Sequence, residues 1–121
     1  MSELYIGTDL IEVDRIKSSI EKYQSRFLDR IFSSEEQKYC QSKSDPAIHF
    51  AGKFAAKEAV VKSIKTSGYI KPIDFKSIRI INNSDGSPAV ILDFDYKGSI
   101  KVSISHTERH AVAFALSQLN N

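Results

Sequence analysis

Residues 45–65, DPAIHFAGKFAAKEAVVKSIK, carry the signals of a long helix at both ends. Asp45 supplies an N-cap, and Pro46 suits the first helical position, where its missing N–H would have no partner. Good helix formers then continue to about Lys65, with Gly68 beyond the end. With Phe54 at zero on a wheel of about 100° per residue, Ala47, Phe50, Ala51 and Val61 lie within about 60° of it. Glu58 falls at about 40°, inside that apolar stripe. A carboxylate on a core-facing stripe loses hydration and needs a cation or several donors to offset the loss. Lys57 and Lys62 flank it on the wheel, an arrangement that suits an anion bound over a metal. A plain i,i+4 pair with Lys62, worth a few tenths of a kcal/mol, is the simpler alternative. Lys53, Lys57, Lys62 and Lys65 stand against Glu58 alone, a local charge of +3 over residues 53–65.

Upstream, Leu4, Ile6, Thr8 and Leu10 alternate with Tyr5, Gly7, Asp9 and Ile11, which predicts a strand with a carboxylate near its end. Ile16, Ile20, Tyr23, Phe27 and Ile31 recur at helical spacing and predict one helix over about 13–31. Ser33 and Glu36 have capping-box spacing and start a shorter helix that runs to about Ser42. Downstream the pattern changes to strands. Ile78, Ile80 and Ile81 lead through Asn83-Ser84-Asp85-Gly86 to Val90, Ile91 and Leu92, a hairpin. Ile100, Val102 and Ile104, a polar connection at 107–110, and then 111–119 predict a second hairpin. One strand, a helical block and a run of strands give an α+β domain whose mostly antiparallel sheet packs against helices.

The chain has 121 residues, 41% of them hydrophobic, which predicts one domain over 1–121. A net charge of +2 is far from that of a dedicated nucleic-acid coat. Cys40 is the single cysteine, so an intrachain disulfide and a multi-cysteine zinc site are excluded. With no basic leader and no apolar run near about 20 residues, the expectation is a soluble, cytoplasmic protein without membrane association.

His106 shares its strand phase with Ile100, Val102 and Ile104, so it is expected on their buried face, as a satisfied core histidine or as a phosphate donor or acid–base group. There is no P-loop, no G-x-S-x-G elbow and no G-x-G-x-x-G after a strand. His106 and His110 lack a third zinc ligand in range. Two separated carboxylates, Asp9 and Glu58, with lysines and a histidine suit magnesium and phosphoryl transfer, because magnesium takes one or two carboxylates and leaves room for phosphate oxygens.

Three segments in order, IGTDLIE at 6–12, FAAKEAVVKSI at 54–64 and VSISHTERHAVAFAL at 102–116, resemble the bacterial holo-acyl-carrier-protein synthases of the 4'-phosphopantetheinyl transferase superfamily. NSDGSPAVIL at 83–92 extends the resemblance over essentially the full chain. It implies an enzyme that moves the 4'-phosphopantetheine arm of coenzyme A to a serine of apo-acyl carrier protein and releases adenosine 3',5'-bisphosphate. It also implies Asp9 and Glu58 as magnesium ligands, and Lys62 as the cation facing the charge that develops on phosphate. Lys53, Lys57, His106 and Thr107 would contact the coenzyme. The proton acceptor stays open between Glu58 and a water that passes the proton to it.

Arg15, Lys22, Arg26 and Arg30 lie in a segment, residues 15–30, with a local charge of +3. By resemblance this helix docks the acidic carrier, and Arg15 matches a docking arginine. The family is homotrimeric, with coenzyme at subunit interfaces. The chain departs from it at Lys53, where relatives carry arginine, and at Lys65-Thr66-Ser67-Gly68, where they carry a Gly-Thr-Gly stretch. A lysine keeps the charge and loses bidentate geometry. The reading from another class is a non-catalytic basic module for acyl carrier protein or nucleic acid.

Overall fold

The computed structural model describes residues 3–120; residues 1, 2 and 121 of the expected domain lie outside the described residues. The long helix, α4, spans Pro46–Thr66. Asp45 makes no side-chain capping bond, so the proline marks its start. Strand β1, Leu4–Glu12, pairs antiparallel with β5, His110–Leu119, and β5 pairs antiparallel with β4, Gly98–His106. The resulting sheet has the order β1-β5-β4. β2, Ile78–Asn82, and β3, Pro88–Leu92, form a separate two-stranded antiparallel sheet. The turn between them needs a positive φ of 89° at Gly86, which glycine adopts without a Cβ penalty.

Small side chains explain how α4 comes to lie so close to the first sheet. Ala111, Ala113 and Ala115 of β5 are buried against the helix, which offers Ala51, Ala55 and Ala59 in return. On β1, Gly7 lies so near α4 that a Cβ built there would overlap the Ala59 carbonyl oxygen and stand 2.8 Å from Ser63 N. With β2 and the helices α1, Val13–Tyr23, and α3, Ser34–Gln41, packed around it as well, α4 is enclosed on most sides. Its fully buried residues include Ala55, Ala56, Lys57, Ala59, Val60, Ser63 and Ile64, while Phe54, Glu58 and Val61 are half-buried. The stripe expected to face the core is therefore buried at Phe50 and Ala51 and opens only along Phe54, Glu58 and Val61. Tight approach by the sheet requires the small residues of the row Ala51, Ala55 and Ala59, and hydrophobicity alone does not register that demand.

The segment expected to form one helix over 13–31 is two: α1, Val13–Tyr23, and α2, Ser25–Ile31. Gln24 sits between them at φ 51°. The apolar spacing continues across this break, from Tyr23 to Phe27, so periodicity could not locate it. Helix α3, Ser34–Gln41, begins with the expected capping box: Ser33 Oγ accepts from Glu36 N at 3.2 Å, and Glu36 Oε1 accepts from Ser33 N at 2.8 Å. Such a box is worth about 1 kcal/mol.

The other face of the first sheet is uncovered and apolar. Leu4, Ile6 and Leu10 of β1 are 58%, 59% and 67% exposed, and Val112 and Phe114 of β5 lie exposed beside them. Among the described residues no helix is long and apolar enough to cross a membrane.

Cys40, on α3, is buried, and burial pushes its thiol up to about 12. The folded chain keeps this proton where an unfolded chain would release it, so its contribution to stability fades as pH rises above the ordinary thiol value. Ellman's reagent at about pH 8 is expected to leave the folded protein untouched and to titrate one thiol after denaturation. Prompt reaction of folded protein would contradict the burial.

Candidate active site

Asp9, near the end of β1, and Glu58, on the open side of α4, line one cavity of about 260 Å³. Arg15, Ile16 and Ser19 of α1, Phe27 of α2, and Phe54 complete much of its wall. Because side chains alternate along a strand, Gly7, Asp9 and Ile11 share the face of β1 that meets α4, and the close approach at Gly7 brings Asp9 to the helix. Lys62 Nζ donates to the Thr8 carbonyl at 2.9 Å and lies 3.4 Å from Asp9 Oδ1. Lys62 thus pairs across to β1 with Asp9, in place of the simple i,i+4 pair with Glu58.

The Glu58 carboxyl is raised above its ordinary value, first by burial and then by the negative charge of Asp9, with Lys62 partly offsetting both. Two carboxylates facing one partly desolvated cavity favour a cation between them. Among the described residues no group of three or more His, Cys, Asp or Glu side chains converges on a point. A pair of hard oxygen donors with open space in front suits magnesium better than a soft metal held wholly by protein.

Lys53 and His106 belong to a second cavity, of about 200 Å³, which they line with Tyr39, His49, Asn82 and Gly86 among others. Lys53 Nζ donates to the Ile80 carbonyl at 2.6 Å and to Asn82 Oδ1 at 2.7 Å, and lies 4.7 Å from the centre of the Tyr39 ring. His106 continues the phase of Ile104, but it is exposed, which corrects the expected burial. It stands at the final residue of β4, where the packed face of the strand gives way to the cavity. Its ring lies edge-on to His49 at 5.8 Å. Burial, followed by the neighbouring His106 and Lys43, lowers the His49 pKa. Sequence reasoning passed over His49 and Asn82; the i,i+4 spacing of His49 and Lys53 was the available signal for the first.

One expected coenzyme contact is corrected. Lys57 points away from Glu58 into the core, where its fully buried ammonium donates to Glu36 Oε1 at 2.9 Å and to the carbonyls of Ile31, Phe75 and Ile78. No further contact is open to it, because four acceptors already surround its three N–H groups. Thr107 is exposed in the β4–β5 turn, where its Oγ1 accepts from Arg109 N and His110 N and its O–H is left to donate outward. With Lys53 and Lys57 both buried, half of the lysine row on α4 leaves the surface. The basic face that a nucleic-acid module would need is reduced accordingly.

Of the candidate docking residues, Arg15 borders the Asp9–Glu58 cavity. Arg26 and Arg30 line an adjoining groove with Tyr23 and Phe27, and Lys22 and Arg26 both lie against the Tyr23 ring, at 5.3 and 6.0 Å. Phe27 is common to groove and cavity.

The chain is similar to known proteins over nearly its whole length. The model of the 4'-phosphopantetheinyl transferase superfamily matches residues 5–115. Holo-[acyl-carrier-protein] synthase of Protochlamydia amoebophila is 42% identical over 118 residues, covering 93% of this chain and 96% of that protein. The synthase of Chlorobaculum tepidum is 41% identical over 112 residues, with 92% and 95% covered. Among solved structures, a holo-(acyl-carrier-protein) synthase from Bacillus anthracis in complex with CoA (3',5'-ADP) superposes with a TM-score of 0.82 at 30% identity, covering 96% of each chain. The Helicobacter pylori synthase in complex with coenzyme A gives 0.79 at 31% identity, over 91% of this chain and 96% of that one. A shared architecture, with a family match that spans the residues of both cavities, makes this chain a member of the holo-[acyl-carrier-protein] synthase family within the 4'-phosphopantetheinyl transferase superfamily.

Proposed function

We propose that this chain, as a single domain, transfers the 4'-phosphopantetheine arm of coenzyme A to a serine of apo-acyl carrier protein. The observation that carries the reading is the meeting of Asp9 and Glu58 in one cavity whose wall continues into a basic groove. The serine gives up its proton to Glu58, directly or through a water, as its oxygen attacks the phosphorus that bears the pantetheine and forms a new P–O bond. The bond from that phosphorus to the bridging pyrophosphate oxygen breaks, and adenosine 3',5'-bisphosphate leaves with the electron pair. Magnesium held by Asp9 and Glu58 would neutralise charge on the pyrophosphate.

Within the chain, Lys62 is the cation nearest Asp9, on a half-exposed side chain free to meet the leaving phosphate. Lys53 and His106 offer donors in a cavity without a carboxylate, which suits the nucleotide end of the coenzyme. The uncovered apolar sheet face supports self-association, and a homotrimer in which neighbouring chains complete each coenzyme site accords with two cavities that share no residue. A lone free cysteine supports residence in the reducing cytoplasm.

The test is to incubate the protein with coenzyme A, magnesium and apo-acyl carrier protein, and to follow the carrier by mass spectrometry. A phosphopantetheine adduct that disappears when magnesium is chelated is the expected result. A competent carrier left unmodified would sink the reading.

Docking is separable from coenzyme binding. Arg26→Glu and Arg30→Glu reverse charges in the groove without touching Asp9 or Glu58. Each is expected to raise KM for an acidic carrier about tenfold and to leave KM for coenzyme A within about twofold. Equal rises in both constants would contradict two distinct surfaces.

A further inference from the structure

Strand β2 has a strand partner on one edge only, since β3 pairs along one side of it. Side chains take up the other edge. Lys57 Nζ donates to the Ile78 carbonyl at 2.6 Å, and Lys53 Nζ, one turn earlier on α4, donates to the Ile80 carbonyl at 2.6 Å. Between them Glu36 Oε2 accepts from Ile80 N at 2.8 Å. The second carboxylate oxygen of Glu36 faces Lys57 and also caps α3. Two lysines and a glutamate thus stand where a third strand would lie.

The same bonds continue to the wall of the second cavity. Asn82, at the end of β2, accepts from Lys53 through Oδ1 and donates through Nδ2 to the Gly86 carbonyl at 3.2 Å. Lys53, Asn82, Gly86 and His106 all line that cavity. Hydrophobic residues of similar volume often stabilise a fold as well as a buried ion pair does, so the directional bonds of Glu36 and Lys57 do more to fix geometry than to add stability.

We propose that Glu36 is a positioning residue for the coenzyme: its buried carboxylate fixes the free edge of β2 and thereby the hairpin wall against which the nucleotide end of coenzyme A lies. Glu36 touches no substrate, and its effect passes through Ile80, Asn82 and Gly86. The inference rests on the reading that the second cavity takes the coenzyme.

Steady-state kinetics and hydrogen exchange on the full chain test it, with Glu36→Asp, Glu36→Gln and His106→Ala. Glu36→Asp keeps a charge opposite Lys57 but is a methylene too short to hold Ile80 N as well. It is expected to speed exchange of the Ile80 amide and to raise KM for coenzyme A about fivefold, with kcat and the carrier KM within about twofold. Glu36→Gln, which strands the Lys57 charge, is expected to raise the coenzyme KM at least about tenfold. Should Glu36→Gln fail to fold, Glu36→Asp carries the test. Faster Ile80 exchange with an unchanged coenzyme KM would reduce Glu36 to a purely structural residue and overturn the proposal. So would parallel losses in kcat and both KM values. A coenzyme KM unmoved by His106→Ala would instead show that the cavity does not take the coenzyme, and the two failures are thereby told apart.

Discussion

Gly7→Ala is expected to destabilise the protein by about 3 kcal/mol or more and to remove most transfer activity from whatever remains folded. The added methyl group would meet backbone: the Ala59 carbonyl oxygen first, then Ser63 N at 2.8 Å, and Lys62 Cβ at 3.0 Å. Neither backbone atom can rotate aside as a side chain could, so strand and helix must separate. β1 is tied to β5 along its whole length, from Leu4 opposite Gln118 to Glu12 opposite His110, and a local bulge would break that ladder. Moving the strand also moves Asp9, two residues on and on the same face, away from Glu58, and it pulls the Thr8 carbonyl from Lys62. Thermal melts and activity against magnesium concentration are the measurements. A stable variant that needs far more magnesium would locate the damage at the carboxylate pair, whereas wild-type behaviour in both would mean that the contact does not set the site.

The sequence pointed to Glu58 by a premise that the structure bears out for only part of the stripe. The wheel placed it in a core-facing stripe; that stripe is buried at Phe50 and Ala51 but opens around Glu58, which is only half-buried. It still stands out, because it faces Asp9 across a cavity and its carboxyl is raised. Local signals read well wherever the cause is local. The Ser33–Glu36 capping box and both hairpins follow from neighbouring residues, and each forms near its expected position. Lys57 was unreadable, because its partners are Glu36 and the carbonyls of Ile31, Phe75 and Ile78, brought together only by the tertiary fold. The break at Gln24 was unreadable because it preserves the apolar spacing on either side. Asp9 reaches the helix through the close approach at Gly7, whose missing side chain leaves no mark on a hydrophobic pattern.

Glu58→Gln is expected to lower kcat/KM at least about a thousandfold, about 4 kcal/mol of transition-state stabilisation, while the chain stays folded. The amide matches the carboxylate in volume, so packing against Phe54 and the α1 wall is kept. Stability at neutral pH should hold or rise. The folded chain raises the pKa of Glu58, through burial and through Asp9, which means that folding disfavours its ionised form. An uncharged side chain escapes that penalty. The sign can be checked by titration: a raised folded pKa makes wild-type stability gain as pH falls towards it, and Glu58→Gln should remove that gain. A bound cation works in the opposite direction. It favours the carboxylate, so a magnesium ion held there would displace the proton, and the acid limb of wild-type activity should move to lower pH as magnesium is raised. Melting with magnesium and coenzyme A separates the two effects, since the wild type should gain stability from the pair and the variant should gain little. Near-normal turnover by a folded Glu58→Gln variant would remove Glu58 from the metal site and leave Asp9 and Lys62 without a second carboxylate to work against.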